Sequence, residues 1–214
     1  VFVGEIHNNA EHHLLQVQIL QRLLEDRPEI AVGIEYLPQT VQPVLDRFMS
    51  GHINETEFFN QSDWLKNWGF DVHLYRPLFY MIRREAAVLL ALNAPNGLIK
   101  EVARNGLRGL RPEQRKRLPE SIDLDKPKYR AALKTIFQNH AHAGLPDFEF
   151  FYQAQCARDA TMAENIAADW KTHGRRMVVF CGNGHLDKRV TRRAIIRSRI
   201  AVDFSILLLY RFQR

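Results

Sequence analysis

The stretch Val1-Phe2-Val3-Gly4-Glu5-Ile6-His7-Asn8-Asn9 begins as an apolar strand and turns at once to an acid, an imidazole and two amides. Three later stretches repeat that change: Gly33-Ile34-Glu35-Tyr36, Leu92-Asn93-Ala94-Pro95 and Cys181-Gly182-Asn183-Gly184-His185. Their apolar parts, residues 1–3, 30–34, 88–92 and 177–180, are short and aliphatic, as strands buried on both faces are. A fifth apolar run spans 200–210. Helical patterns fill the gaps. Residues 11–26 carry Leu14, Leu15, Ile19, Leu23 and Leu24 at helical spacing, and 40–49 and 55–68 read as further helices. Pro77 is placed to open another helix that runs to about residue 87.

Alternating strands and helices predict an α/β fold with a mainly parallel sheet flanked by helices. The strand ends then share one edge, where open α/β sheets place their ligand crevices. Glu5, His7, Glu35, Asn93 and His185 are expected to converge there. Glu35 lies in an apolar strand, where a buried carboxylate without a partner is costly, so it is expected to be paired or functional.

Residues 97–171 show no strand pattern, and 129–142 and 147–171 read as helices. They predict a helical insertion between the third and fourth strands of one domain covering 1–214. On the second helix Tyr152, Gln155, Asp159 and Met162 share a face. Either that face covers the strand-end crevice, or Arg158 and Asp159 form an ion pair on a solvated surface.

With 46% hydrophobic and 25% charged residues among 214, the composition is globular and excludes disorder, collagen repeats and a disulfide scaffold. The formal charge of +6 is a mild bias toward acidic partners. The basic runs 104–117 and 188–199 lack interleaved aromatics, so no nucleic-acid partner is expected. Cys156 and Cys181 match no metal or redox spacing, and Trp64 and Trp68 read as packing residues. Because the chain opens directly on a strand, a leader segment is expected upstream.

Two chemistries suit these residues. In a hydrolase, esterase- or metalloprotease-like, Glu5 or His7 serves as general base and Glu35 orients an imidazole or holds a metal. His185 would then stabilise or protonate the leaving group, and Arg158 and Asp159 complete the pocket, with Arg158 meeting an oxyanion. A divalent metal at Glu5, His7, Glu35 and His185 is the variant of that reading, although the spacing is no strong metal signature. His12 and His13, adjacent on a helix, are expected to face different ways.

The second chemistry comes from a resemblance. Gly4-Glu5-Ile6-His7-Asn8-Asn9 with His12, His13 and Gln16 resembles the opening motif of the ChaN-like haem-binding uptake proteins. Gly33-Ile34-Glu35 with Gln42, Leu45 and Gly51, then Trp64, Trp68 and Tyr75-Arg76-Pro77, continue the likeness. So do Leu92-Asn93-Ala94-Pro95, Tyr152-Gln153-Ala154-Gln155 with Asp159, and Gly182-Asn183-Gly184-His185. The family is similar to a wider group that includes erythromycin esterases and the Tiki and TraB proteins. The resemblance implies an iron-regulated lipoprotein at the bacterial cell envelope, working with an outer-membrane haem receptor system. It implies haem at a homodimer interface, with a tyrosine on each iron and propionates met by a histidine and a lysine of the partner subunit. Tyr129 and Tyr152 are the first candidates for the iron, Tyr80 stands behind them, and His140 and His142 are the candidates for the propionates. Phe148, Phe150 and Phe151 would wall an apolar slot.

Overall fold

The computed structural model describes residues 1–26, 29–139, 147–186 and 205–207. Five strands form one all-parallel sheet: β1 (Phe2–Glu5), β2 (Ala31–Pro38), β3 (Leu89–Asn93), β4 (Met177–Gly182) and β5 (Ile206–Leu207), in the order β3-β2-β4-β1-β5. Val3 lies beside Phe180, Phe180 beside Ile34, and Ile34 beside Ala91. That register brings the polar ends of β1, β4, β2 and β3 to one edge. The rest of the run 200–210, and the basic run 188–199, lie outside the described residues.

Strand β2 extends past the expected end at residue 34. Glu35, Tyr36, Leu37 and Pro38 are all buried in it, and other elements satisfy the Glu35 carboxylate. A register shift between Ile34 and Pro38 against β3 marks the bulge that follows.

Helix α1 (Ala10–Asp26) buries His12, His13, Gln16, Leu20 and Leu24, whereas Leu14 and Leu15 are exposed. Its first turns cross the end of β1, where Glu5 and the loop carbonyls demand polar partners, so the polar side faces inward. His12 and His13 are therefore both buried, contrary to the expectation that they diverge. The ring of His12 accepts from the amide of Ile6 at 2.9 Å, and His13 bonds the carbonyl of His7 at 2.9 Å.

Residues 40–49 hold a 3-10 turn and then α2 (Gln42–Met49). The expected helix at 55–68 is two, α3 (Glu55–Gln61) and α4 (Trp64–Asn67). Asp63 breaks them apart in the left-handed region at φ 49°. Asn54 and Glu57 close a reciprocal capping box at the start of α3. Pro77 lies inside α5 (Val72–Arg84) instead of opening it, since Asp71 caps that helix by accepting from His73 at 2.9 Å.

Between β3 and β4 lie α6 (Asn96–Asn105), α7 (Pro112–Arg115), α8 (Pro127–Asn139) and α9 (Phe148–His173). Helix α9 lays Met162 and Ile166 against Leu92, Val179 and Cys181 on one face of the sheet. On the other face α1, α2, α3 and α5 enclose the main core. No described helix is long and apolar enough to cross a membrane.

The aromatic centre of that core is a stack of Phe48 and Phe58 at 4.4 Å, with Phe79 edge-on to both. Phe58→Ala is expected to cost about 3–5 kcal/mol through the cavity it leaves, measured as a drop in the denaturant midpoint at unchanged m-value.

Candidate functional site

Glu5 sits at the end of β1, 2% exposed. Its carboxylate is met from three elements. Tyr36 of β2 donates to Oε2 at 2.8 Å, Gln16 of α1 donates to Oε2 at 2.6 Å, and the hydroxyl of Tyr75 of α5 lies 3.2 Å from Oε1. Burial, then the charge of Glu5, pushes both phenols far above their usual value, so each keeps its proton and donates. The remaining contact is His7 Nδ1, 2.8 Å from Oε1. The His7 ring stands edge-on to Trp68 and tilted against Phe70. Its side chain is 27% exposed, in contrast to the carboxylate behind it.

Glu35, from β2, begins a second chain. Its Oε2 accepts from the Gly182 amide at 2.7 Å and its Oε1 lies 3.0 Å from His185 Nε2. His185 Nδ1 in turn lies 2.6 Å from Asp159 Oδ1 on α9. One imidazole is thus clamped between two buried carboxylates. Burial alone would push the proton off His185, but Glu35 and then Asp159 outweigh it, and the pKa rises well above 6.5. Burial likewise raises Glu35, but the His185 charge and hydrogen bond, with help from His7 and Gly182, bring it down to about 2. The pair is an imidazolium held by ionised acids.

Gly182 joins the two chains. A Cβ there would stand 2.7 Å from His7 Cε1 and 2.8 Å from Nε2, so only glycine lets the ring lie over the amide that bonds Glu35. Arg158 completes the group. Its Nη2 donates to Asn96 Oδ1 at 3.2 Å, and burial pulls the pKa of its guanidinium below the usual value against the opposing influence of Glu35 and Asp159. The expected alternative of an Arg158–Asp159 pair gives way to Asp159–His185.

The structure thus gathers Glu5, His7, Glu35, Asp159, Arg158 and His185 at one edge. Asn93 turns away from them, donating to the Glu35 carbonyl and accepting from Ala94. Both nitrogens of His185 meet carboxylates, Nε2 at Glu35 and Nδ1 at Asp159, so the ring ties these two acids together. Gln16, Tyr36, Tyr75 and Trp68 were missed as site residues. A polar residue one turn after His12 on a buried face is the trace that points to Gln16. Among the described residues no group of three or more His, Cys, Asp or Glu is arranged to hold a metal.

The tyrosines are placed differently from the expectation. Tyr152 donates to the Leu124 carbonyl at 2.9 Å, inside a cluster with Tyr129, Leu133, Phe151 and Cys156. Tyr129 is buried beside Asp159, and burial followed by that carboxylate keeps its phenol protonated. Tyr80 is 47% exposed on α5, donates to Glu55 at 2.6 Å, and lines a cleft of about 460 Å³ with Phe48, His52, Ile53 and Arg83. His140 and His142 lie outside the described residues.

An open parallel sheet whose polar strand ends form a crevice defines a ligand-handling α/β protein. The family model for haem-binding uptake proteins of the Tiki superfamily, ChaN, matches residues 1–196, and the chain belongs to that family. No curated protein matches it. A solved structure of cofacial haem binding to ChaN of Campylobacter jejuni is similar at TM-score 0.70 and 18% identity, covering 97% of this chain and 78% of that one. An erythromycin esterase mutant in its open conformation gives TM-score 0.46 and 13% identity, over 85% of this chain and 60% of that one.

The clamp has a defined pH range. Glu35 is depressed, so its contribution is present above 4.5 and is lost as pH falls toward about 2. His185 is elevated, so its contribution is present below 6.5 and is lost only as pH rises through its higher folded value. Removing the imidazole leaves two buried acids unpaired. His185→Asn is expected to cost about 3–5 kcal/mol at neutral pH and to flatten the acid limb of stability between pH 4.5 and 2, read from urea unfolding across pH.

Proposed function

We propose that this chain binds haem as cargo of an uptake system and presents it at a homodimer interface. The match of the haem-binding uptake family over residues 1–196 carries this reading. The Campylobacter neighbour, described as binding haem cofacially, shares the fold. Haem asks for an accessible phenol, cations for its propionates and apolar walls. Exposure favours Tyr80, although its hydroxyl donates to Glu55, over the buried Tyr129 and Tyr152. The Tyr80 cleft adds Arg83 stacked on Phe48, an exposed His52 and the apolar side of Ile53. In this reading the protein works at the cell envelope as a lipoprotein, receiving haem from an outer-membrane receptor system.

Hemin titration of the purified chain is expected to give a saturable Soret change and a dimeric mass. Tyr80→Phe should weaken binding at least about tenfold, more than Tyr129→Phe or Tyr152→Phe, because a ferric iron loses its hard phenolate ligand. A flat Soret titration of the unaltered protein overturns haem binding; equal loss in the three variants overturns only the choice of tyrosine.

One observation favours a second activity beside it. His7 has Nδ1 on buried Glu5, a ring fixed by Trp68 and Phe70, and a partly exposed side chain. That is the construction of a general base: a carboxylate sets the tautomer and leaves Nε2 to take a proton from water. We infer a hydrolytic, esterase-like site. Slow turnover of simple esters is expected, reduced by about 10²–10⁴-fold in His7→Asn and substantially in Glu5→Gln. An unaltered protein inactive across a broad ester and lactone panel sinks this reading.

A further inference from the structure

A base is half of a hydrolytic site; the carbonyl oxygen needs a donor that strengthens as negative charge develops. Two cations belong to the same group at the strand ends, and one of them is spent. Both nitrogens of His185 are engaged by carboxylates at 2.6 and 3.0 Å. Arg158 is not: among the described residues no carboxylate lies within ion-pair distance of it, and its one side-chain bond goes to the amide of Asn96. Its remaining donors are absent from the buried, partnerless polar atoms, and the half-buried side chain leaves them unsealed. Asn96 holds the fork from α6 while α9 supplies it, which fixes it against two helices.

We propose that Arg158 is the electrophile of this site and that the substrate is an ester or lactone carrying no negative charge near its reacting carbonyl. The proposal rests on the water-activating reading of His7. Arg158 donates to the carbonyl oxygen. Water loses a proton to His7 Nε2 as its oxygen bonds the carbonyl carbon, and the charge that moves onto the carbonyl oxygen meets the guanidinium. The tetrahedral intermediate collapses, the bond to the leaving oxygen breaks, and His7 returns the proton to that oxygen. Ester and water become acid and alcohol, and His7 ends neutral.

The substrate class follows from the local charges. Glu5, Glu35 and Asp159 are three carboxylates against the two cations His185 and Arg158, a formal excess of one negative charge. That local sign is opposite to the +6 of the whole chain. A neutral or cationic ester enters such a crevice without opposing it, whereas an anionic ester meets repulsion.

The test compares the unaltered protein with Arg158→Gln, Arg158→Lys and His7→Asn on p-nitrophenyl butyrate and on p-nitrophenyl hemisuccinate, its anionic counterpart. Arg158→Gln is expected to lower kcat by about 10²–10³-fold with KM little changed, and Arg158→Lys to recover part of it. The butyrate should be preferred by at least about tenfold. An uncharged boronic acid that becomes a tetrahedral anion on binding should bind the unaltered protein and lose affinity in Arg158→Gln; it reports even where turnover is slow. His7 imidazole resonances unchanged in Arg158→Gln separate loss of the donor from loss of fold. Activity lost in His7→Asn but kept in Arg158→Gln overturns the electrophile and leaves the base standing. Preference for the hemisuccinate overturns the substrate class, and inactivity of the unaltered protein overturns both.

Discussion

A carboxylate at the end of a buried strand dictates what surrounds it. Glu5 lies where water cannot solvate it, so hydrogen bonds must do that work, and four side chains, from the loop after β1 and from β2, α1 and α5, converge on its two oxygens. This need explains features that are otherwise odd. It turns the polar side of α1 inward and leaves Leu14 at 56% exposure. It places two phenols in the interior with their protons retained. It draws α5 close enough for Tyr75 to touch both Glu5 and the His7 carbonyl at 3.2 Å.

The second chain, Glu35–His185–Asp159, solves the same problem differently. Here the partner is a cation, and the carboxylates come from β2, beside β4 in the sheet, and from α9, packed on the face of the sheet. Pairing charge with charge ties the long helix to the sheet edge and keeps Glu35 ionised at neutral pH. It also removes His185 from chemistry, because an imidazolium with both N–H groups engaged has none to give. His7 has a carboxylate bonded to one nitrogen and a side chain that stays partly exposed; His185 has a carboxylate on each nitrogen and is closed. The division of labour between the two histidines follows from how many nitrogens a carboxylate occupies.

The strand ends were legible in sequence because an apolar run that breaks into Glu, Asn or His needs no tertiary information to be seen. Glu5, His7, Glu35 and His185 met the expectation of a shared edge because parallel strands carry their C-terminal ends together. The partners were not legible. Tyr36 and Tyr75 look like core aromatics, and their value lies in hydroxyls that reach Glu5 across 31 and 70 residues. The same limit applies to α3 and α4: helical spacing runs smoothly across 55–68, and only the left-handed turn at Asp63 breaks it. Pro77 misled in the opposite sense, since Asp71 supplies a better start and packing tolerates the missing amide. Tyr129 and Tyr152 have the residue type an iron ligand needs, but sequence alone is blind to which way a hydroxyl points.

Helix α5 brings the two proposed activities into one frame. Tyr75 faces the crevice with its hydroxyl on Glu5, while Tyr80, further along the same helix, opens on the cleft formed with α2 and α3. The crevice gathers three acids against two cations; the cleft has Arg83 and His52, and its one acid, Glu55, is already held by Arg76. An acidic, water-activating edge suits a substrate without negative charge, whereas a cleft that offers an arginine and whose one acid is already held suits the propionates of haem. Placing both ligands in one pocket would set the propionates against Glu5, Glu35 and Asp159. The charges therefore argue for two sites on opposite faces of one helix, each with the sign its ligand requires.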